Sequence, residues 1–402
     1  MTDMLVIGSG PAGLAAAIAG ARNGLQVKIY DEFPKPGGRL LGQLHEELGG
    51  GWWNGIAEAG KLVDQAVRLG VELELGASVY DLRQTVSGWE VHTSRETGAA
   101  PSIVLATGAA EANVPVAGWT LPGVMSIGAA QVMVNVHRVR PGHRGVIIGI
   151  NVLSLAIARE LQLAGVEIVS IVLPALNEAT GEAGSPGKVM GSLARLTHLA
   201  PSAAVRLGGR LLRSETMQAW ALRLYPKHGV NLWGMPIHVR KSAVEIYGDG
   251  RVQGVKITDN AADGSIKPGT VRDVPADFVC IAGGLYPLAE LAAVAGCPFV
   301  YAAELGGSVP LHNERMQTPL KGMYVAGNIT GIESAKIAIA QGNVAGLSIV
   351  RDRAGSGSPI EQELRQAILH VQAERENALI QFHPFILKGR EHVAAEWRKS
   401  LK

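Results

Sequence analysis

The sequence predicts an α/β fold, and three stretches carry that prediction. Residues 3–22 read DMLVIGSGPAGLAAAIAGAR, residues 145–165 read GVIIGINVLSLAIARELQLAG, and residues 322–346 read GMYVAGNITGIESAKIAIAQGNVAG. In each, a short apolar run ends at glycine and a helix-like pattern follows. This is the strand–turn–helix frame of a Rossmann-like, dinucleotide-binding type of domain, and the sequence predicts two of them.

The first frame is complete. Gly8, Gly10 and Gly13 satisfy G-x-G-x-x-G directly after an apolar strand, and Pro11 and Ala12 open the helix. Gly8 makes the tight turn, Gly10 lets backbone approach a pyrophosphate, and Gly13 lets helix pack on strand. The helix N-terminus adds unpaired N–H groups and a positive dipole end. The next strand, LQVKIYDE, ends in Asp31 and Glu32, and Asp31 lies 23 positions after Gly8. An acid there accepts hydrogen bonds from ribose hydroxyls and repels a 2′-phosphate.

The middle frame is degenerate. Asn151 and Ser154 stand where the motif needs its second and third glycines. Asparagine tolerates left-handed backbone, so the turn still forms, but its side chain projects where a pyrophosphate approaches. The following strand, VEIVSIVLPA, ends in Leu173-Pro174, with no acid for a ribose diol and no arginine for a 2′-phosphate. Ordinary NAD(P)H use is not expected. A domain kept for its architecture is favoured, and a non-reacting second adenine nucleotide at the 149–154 turn stays open.

Composition narrows the class. The chain has 402 residues, 47% of them hydrophobic and 18% charged, which fits a protein of two or three well-buried domains. The net charge of +2 gives no case for nucleic acid. The only cysteines, Cys280 and Cys297, are too far apart for a C-x-x-C pair or a zinc cluster and read as buried thiols, so no metal site is expected. Neither a basic-flanked leader nor an apolar run of spanning length is evident, so a cytoplasmic chain is expected.

Two further signatures bring in a family. SIVLATGA at 102–109 is a strand ending in Ala106-Thr107-Gly108, and the third frame carries Gly327-Asn328 at its strand end. With Gly8 to Gly13, these resemble the three FAD signatures of two-dinucleotide-domain flavoproteins in the thioredoxin reductase-like branch, over about residues 1–350. Within that branch, PGGRLLGQ (36–43), residues 118–142 and residues 279–297 are most similar to the α-type subunits of hetero-oligomeric amine and imino-acid oxidoreductases. Sarcosine oxidase, dye-linked proline dehydrogenase, opine oxidase and hydrogen cyanide synthase belong to that subgroup. The resemblance implies FAD at a site including Gly38, Arg39, Gln43, Thr107, Gly108, Gly327 and Asn328. It also puts Lys336 where the reductases carry glutamine, as a candidate flavin-tuning cation, and the Ile337 N–H near the flavin pyrimidine ring.

The departures are informative. Asn328 replaces the usual aspartate and is expected to accept through its carbonyl oxygen in the same place. The reductase C-x-x-C is missing, because residues 133–140 read MVNVHRVR. Residues 356–402 hold no cysteine, so no iron–sulfur cluster bound by thiolates is expected there.

If the signatures hold, the first domain is discontinuous. Residues 1–117 and 291–352 form the FAD-binding domain, residues 118–290 form the inserted second domain, and residues 353–402 form a short helical tail. Residues 177–241 form a helix-rich insertion in which nine Lys and Arg between 188 and 241 face a single acid, Glu215. That segment fits a solvated cover, a docking surface for a partner, or peripheral contact with an anionic membrane at its inner face. The tail is expected to serve assembly more than FAD binding. His45, Glu46, Glu47, Trp52 and Trp53 are further residues near the flavin-side loop, without an assigned role.

The resemblance implies an FAD-binding oxidoreductase subunit that works on an amine or imino acid, of proline, hydroxyproline or sarcosine type, with a second, catalytic flavoprotein subunit. The alternatives are a stand-alone NAD(P)H:acceptor flavin oxidoreductase and a non-catalytic FAD-holding scaffold.

Overall fold

The computed structural model describes residues 2–47, 50–196, 214–355, 357, 359–378 and 381–401. The chain divides into two units. One holds Met1–Leu41, Asn54–Ala110 and Leu285–Lys402; the other holds Gly42–Trp53 and Glu111–Gly284.

The first unit is built on a five-stranded parallel sheet in the order Met323–Val325, Ser102–Leu105, Met4–Ile7, Val27–Asp31, Glu72–Leu75. The central strand, MLVI, and its neighbour SIVL are buried along their whole length and apolar apart from Ser102, as strands covered on both faces must be. Two helices, Pro11–Arg22 and Ala335–Ala354, lie against each other at backbone distance. A Cβ on Gly342 would sit 2.0 Å from Ala12 O, and one on Gly346 would sit 2.4 Å from Ala16 O, so only glycine permits the crossing. This crossing brings the third signature onto the first.

The tail belongs to this unit. From the Ile360–Glu376 helix, Ile360, Leu364, Ala367 and Val371 join the core that holds Val344 and Leu347. From the Ile386–Ser400 helix, Ile386 and Val393 join Val300, Leu305 and Val309. Both tail helices are therefore packed into the core of the first unit.

The second unit has an eight-stranded sheet. Its parallel part runs Val124–Ser126, Phe278–Ile281, Arg144–Ile148, Glu167–Pro174, Met235–Tyr247; Gly254–Asp259 and Arg272–Pro275 extend it antiparallel, and Val230–Leu232 pairs antiparallel with Met235–Tyr247. The chain enters this unit at Glu111, seven residues before the expected bound, because Val114 and Val116 pack into its core. Glu111 accepts hydrogen bonds from Ser126 Oγ and Gly128 N, both at 3.0 Å. The chain leaves at Gly284, ahead of the expected 290, and residues 42–53 group here as well. Of the basic insertion, helices Pro186–Leu196 and Glu215–Arg223 are seen, and residues 197–213 lie outside the described residues. Both cysteines are buried; burial pushes the Cys297 thiol up to about 11 and that of Cys280 higher still.

Candidate functional site

The first unit gathers most of the sequence-predicted residues around the start of the Pro11–Arg22 helix. Gly8 has φ +103°, and a Cβ there would meet Ala106 O at 2.5 Å; a Cβ on Gly13 would meet Gly8 O at 1.8 Å. These two glycines fold the turn and seat it on the Ser102–Leu105 strand. Gly10 differs. It caps the helix with φ −70° and ψ −177°, and a Cβ there would meet nothing within 4 Å. The open space lies over helix N–H groups that lack a side-chain cap. This is a cradle for an anion, and it fits the pyrophosphate of a dinucleotide.

Other groups border that turn. Gly37 N–H donates to Ser9 O at 2.9 Å, and a Cβ on Gly38 would come within 2.9 Å of Gly10 Cα. Arg39 Nε donates to Ala109 O at 3.0 Å. Thr107 Oγ1 donates to Leu288 O, and Gly108 O accepts from Leu288 N at 3.1 Å. A Cβ on Gly327 would sit 2.8 Å from the Ala12 Cβ. Gln43 groups with the second unit, where its Oε1 accepts from Trp53 Nε1 at 3.0 Å. His45 stacks on Trp53 in that unit, with ring centroids 6.1 Å apart.

The acids are arranged less simply than the motif suggests. Asp31 Oδ2 accepts from both Ser9 N and Ser9 Oγ at 2.6 Å, and Oδ1 accepts from Phe33 N at 2.8 Å. Ser9, an unassigned x position of the motif, thus fixes Asp31, and Glu32 beside it is exposed. Asn328 Oδ1 accepts Glu333 N–H at 3.1 Å, which orients the amide and leaves the oxygen's second lone pair and the Nδ2 donor for a further partner. Lys336 is exposed at the start of the Ala335–Ala354 helix, and Ile337 N–H is directed to the cap, Ser334 Oγ, at 3.4 Å.

In the second unit the degenerate turn fills itself. Asn151 Oδ1 accepts Ser154 N–H, and Ser154 Oγ accepts Asn151 N–H, both at 2.9 Å. This is a reciprocal capping box on the Val152–Leu163 helix. Asn151 Nδ2 also donates to Ala282 O at 3.0 Å, which pins the side chain across the turn. The frame survives in Gly149, whose φ is +114° and whose Cβ would strike Ala282 O at 2.3 Å. The contacts that an intact motif reserves for phosphate are made by the protein.

The same helix carries Glu160, which the sequence reading did not single out. It is only 4% exposed, and its partners are all uncharged: Gln131 Nε2 at 2.9 Å, Asn135 Nδ2 at 2.6 Å and Leu44 N at 3.4 Å. Burial pushes its carboxyl up to about 7, from an ordinary 4.5, against the pull of these donors. A group raised on folding contributes stability that is full below 4.5 and is lost as pH rises through about 7. Urea unfolding of the second unit should therefore weaken by about 3 kcal/mol across that window. Glu160→Gln should remove this pH dependence; an unchanged slope would show that Glu160 is not its source.

The sequence model of the pyridine nucleotide-disulphide oxidoreductase family matches residues 2–342. An opine oxidase subunit from Agrobacterium tumefaciens (strain Ach5) is 32% identical over 365 residues, covering 87% of this chain; the match spans 65% of that protein's length. Two solved structures share the fold. Thioredoxin reductase of T. acidophilum superposes with a TM-score of 0.62 at 22% identity, covering 88% of this chain and 99% of the reductase. L-proline dehydrogenase of P. horikoshii gives 0.63 at 18% identity, covering 91% of this chain and 58% of the dehydrogenase.

Proposed function

Because this chain belongs to the pyridine nucleotide-disulphide oxidoreductase family, a family that implies FAD binding, we propose that it is an FAD-binding subunit of a hetero-oligomeric oxidoreductase whose substrate is an amine or imino acid. One contrast carries the reading: the Gly10 cradle is open to a dinucleotide, whereas the Asn151–Ser154 turn is closed on itself. A flavoprotein that keeps its flavin cradle and closes its nicotinamide turn takes electrons from another donor. The similarity to a protein named as one component of opine oxidase supports a C–N donor and a second subunit.

When bound, FAD supplies a two-electron acceptor. The chain's own residues hold it. The backbone N–H groups of Ala12 and Gly13, opened by Gly10 and by the Pro11 start of the helix, would receive the pyrophosphate, with Gly38 and Arg39 alongside. Asp31 and Glu32 would serve the ribose hydroxyls, Thr107 and Gly108 would border the site, and Gly327 and Asn328 would contribute backbone and a side-chain amide. Lys336 places a cation on the first turn of the Ala335–Ala354 helix, where cation and helix dipole favour negative charge on a bound group. Among the described residues, no helix is long and apolar enough to cross a membrane.

The test is anaerobic addition of L-proline, hydroxyproline or sarcosine to the purified chain, alone and with its co-purified partner. Loss of the flavin absorbance band is expected with at least one of them in the complex. If none acts but NADH does, the stand-alone NAD(P)H:acceptor reading replaces this one. A flavin that no donor reduces would favour the scaffold.

A further inference from the structure

The segment that follows Gly327-Asn328 is tied down by a buried ionic cluster reaching into the tail. Glu333 has only 4% of its side chain exposed. Its carboxylate accepts from Arg375 Nε at 2.8 Å and Nη2 at 3.1 Å, from Arg390 Nη2, and from Gln341 Nε2 at 3.3 Å. Burial alone would raise this carboxyl, but the two guanidiniums outweigh it and hold it low. Gln341 Oε1 in turn accepts Gly327 N–H at 2.8 Å, and Thr330 Oγ1 donates to Gly327 O at 2.8 Å. Arg390 Nη1 donates to Thr330 O at 2.7 Å, and Glu333 N–H holds Asn328 Oδ1. Both backbone polar groups of Gly327 and the orientation of the Asn328 amide are thus fixed within one network.

That network is poorly explained as a stabilising device. The two tail helices are already seated by Ile360, Leu364, Val371, Ile386 and Val393. A buried ion cluster generally adds little over well-packed apolar side chains of similar size. Arg390 Nε is buried without a hydrogen-bond partner, a cost that a purely stabilising cluster would avoid. The network's distinctive property is geometric, because every link ends on the turn from Gly327 to Glu333.

We propose that the C-terminal helices act as a clasp on the cofactor turn, with Glu333 as the positioning residue through which Arg375 and Arg390 hold Asn328 in its cofactor-binding orientation. This rests on the FAD reading above. It implies that cofactor affinity depends on residues 42 and 57 positions further along the chain.

Two variants of the full-length chain test it, with the FAD dissociation constant and the melting temperature of the apoprotein as readouts. Arg375→Lys keeps the charge but loses the two-pronged contact, and the variant carrying Glu333→Leu, Arg375→Met and Arg390→Met replaces the cluster with apolar volume. The expected result is an apoprotein that melts close to wild type in both. FAD binding should weaken several-fold in the first and by about tenfold or more in the second. FAD affinity within about twofold of wild type in Arg375→Lys overturns the clasp, whether or not the triple variant folds. Loss of affinity only in step with loss of melting temperature would make the cluster structural and also overturn it. A wild-type chain that takes up no FAD overturns the flavin reading itself, and is recognised before any variant is compared.

Discussion

Gly10→Val is expected to cost the chain its flavin while leaving the fold in place. The expectation rests on the difference between Gly10 and its two neighbours in the motif. Gly8 has a positive φ and a carbonyl where its Cβ would go, and Gly13 would drive its Cβ into Gly8 O. Substitution at either breaks the turn itself, so lost FAD there would say nothing about contact with the cofactor. Gly10 has ordinary extended backbone and empty space at the Cβ position. Valine at this helix cap costs the apoprotein about 1 kcal/mol. Its branched side chain, however, occupies the cradle over the helix N–H groups. Affinity should fall by about two orders of magnitude or more, about 2.8 kcal/mol. FAD released per chain and the melting curve of the apoprotein together check it. Full FAD content in a folded Gly10→Val protein would place the cofactor elsewhere.

NADH and NADPH are expected to leave the bound flavin oxidised at micromolar concentration, under conditions in which dithionite reduces it. A nicotinamide dinucleotide at the second turn would have to displace the Asn151–Ser154 capping box and the Asn151–Ala282 bond. It would find fully buried Leu173 where an intact site carries an acid or an arginine. Asn151→Gly alone should not restore reduction, because removing the cap supplies no ribose partner. Rapid stoichiometric bleaching by either nucleotide in an anaerobic stopped-flow experiment would refute the closed-turn account.

The parts of this architecture legible in the sequence are those whose requirements are local. The turns at Gly8, Gly149 and Gly327 all have positive φ, and each sits between a strand and a helix, so strand, glycine and helix pattern are read together. The degenerate turn was also legible as a loss, since Asn151 and Ser154 occupy motif positions. Its self-filling was not singled out, although N-cap Asn with Ser three residues on is a recognisable variant of the capping box. The remaining features depend on distant partners. Glu333 meets Arg375 and Arg390 only because the tail helices fold back onto the first unit; the helical spacing of Ile360, Leu364, Ala367 and Val371 marks an apolar face in the sequence but not the surface it docks on. Glu160 lies 116 positions from Leu44, and in sequence it is one more charge on an amphipathic helix. The unit boundary moved from 117 to Ala110 for a similar reason. EANVPVAGWTLPG looks like a crossing because of its Pro and Gly content, but Val114 and Val116 are core residues of the second unit. Asn328 shows the same limit at a single side chain: its identity was readable, whereas the direction of its hydrogen bond depended on Glu333.

The central claim is that one dinucleotide cradle in this chain is open and the other is filled by the protein. Counting the FAD released by acid from the purified wild-type chain, per mole of protein, tests it most directly. The account predicts one; none would remove the Gly10 cradle as a flavin site, and two would mean that the Asn151–Ser154 turn opens to a second dinucleotide.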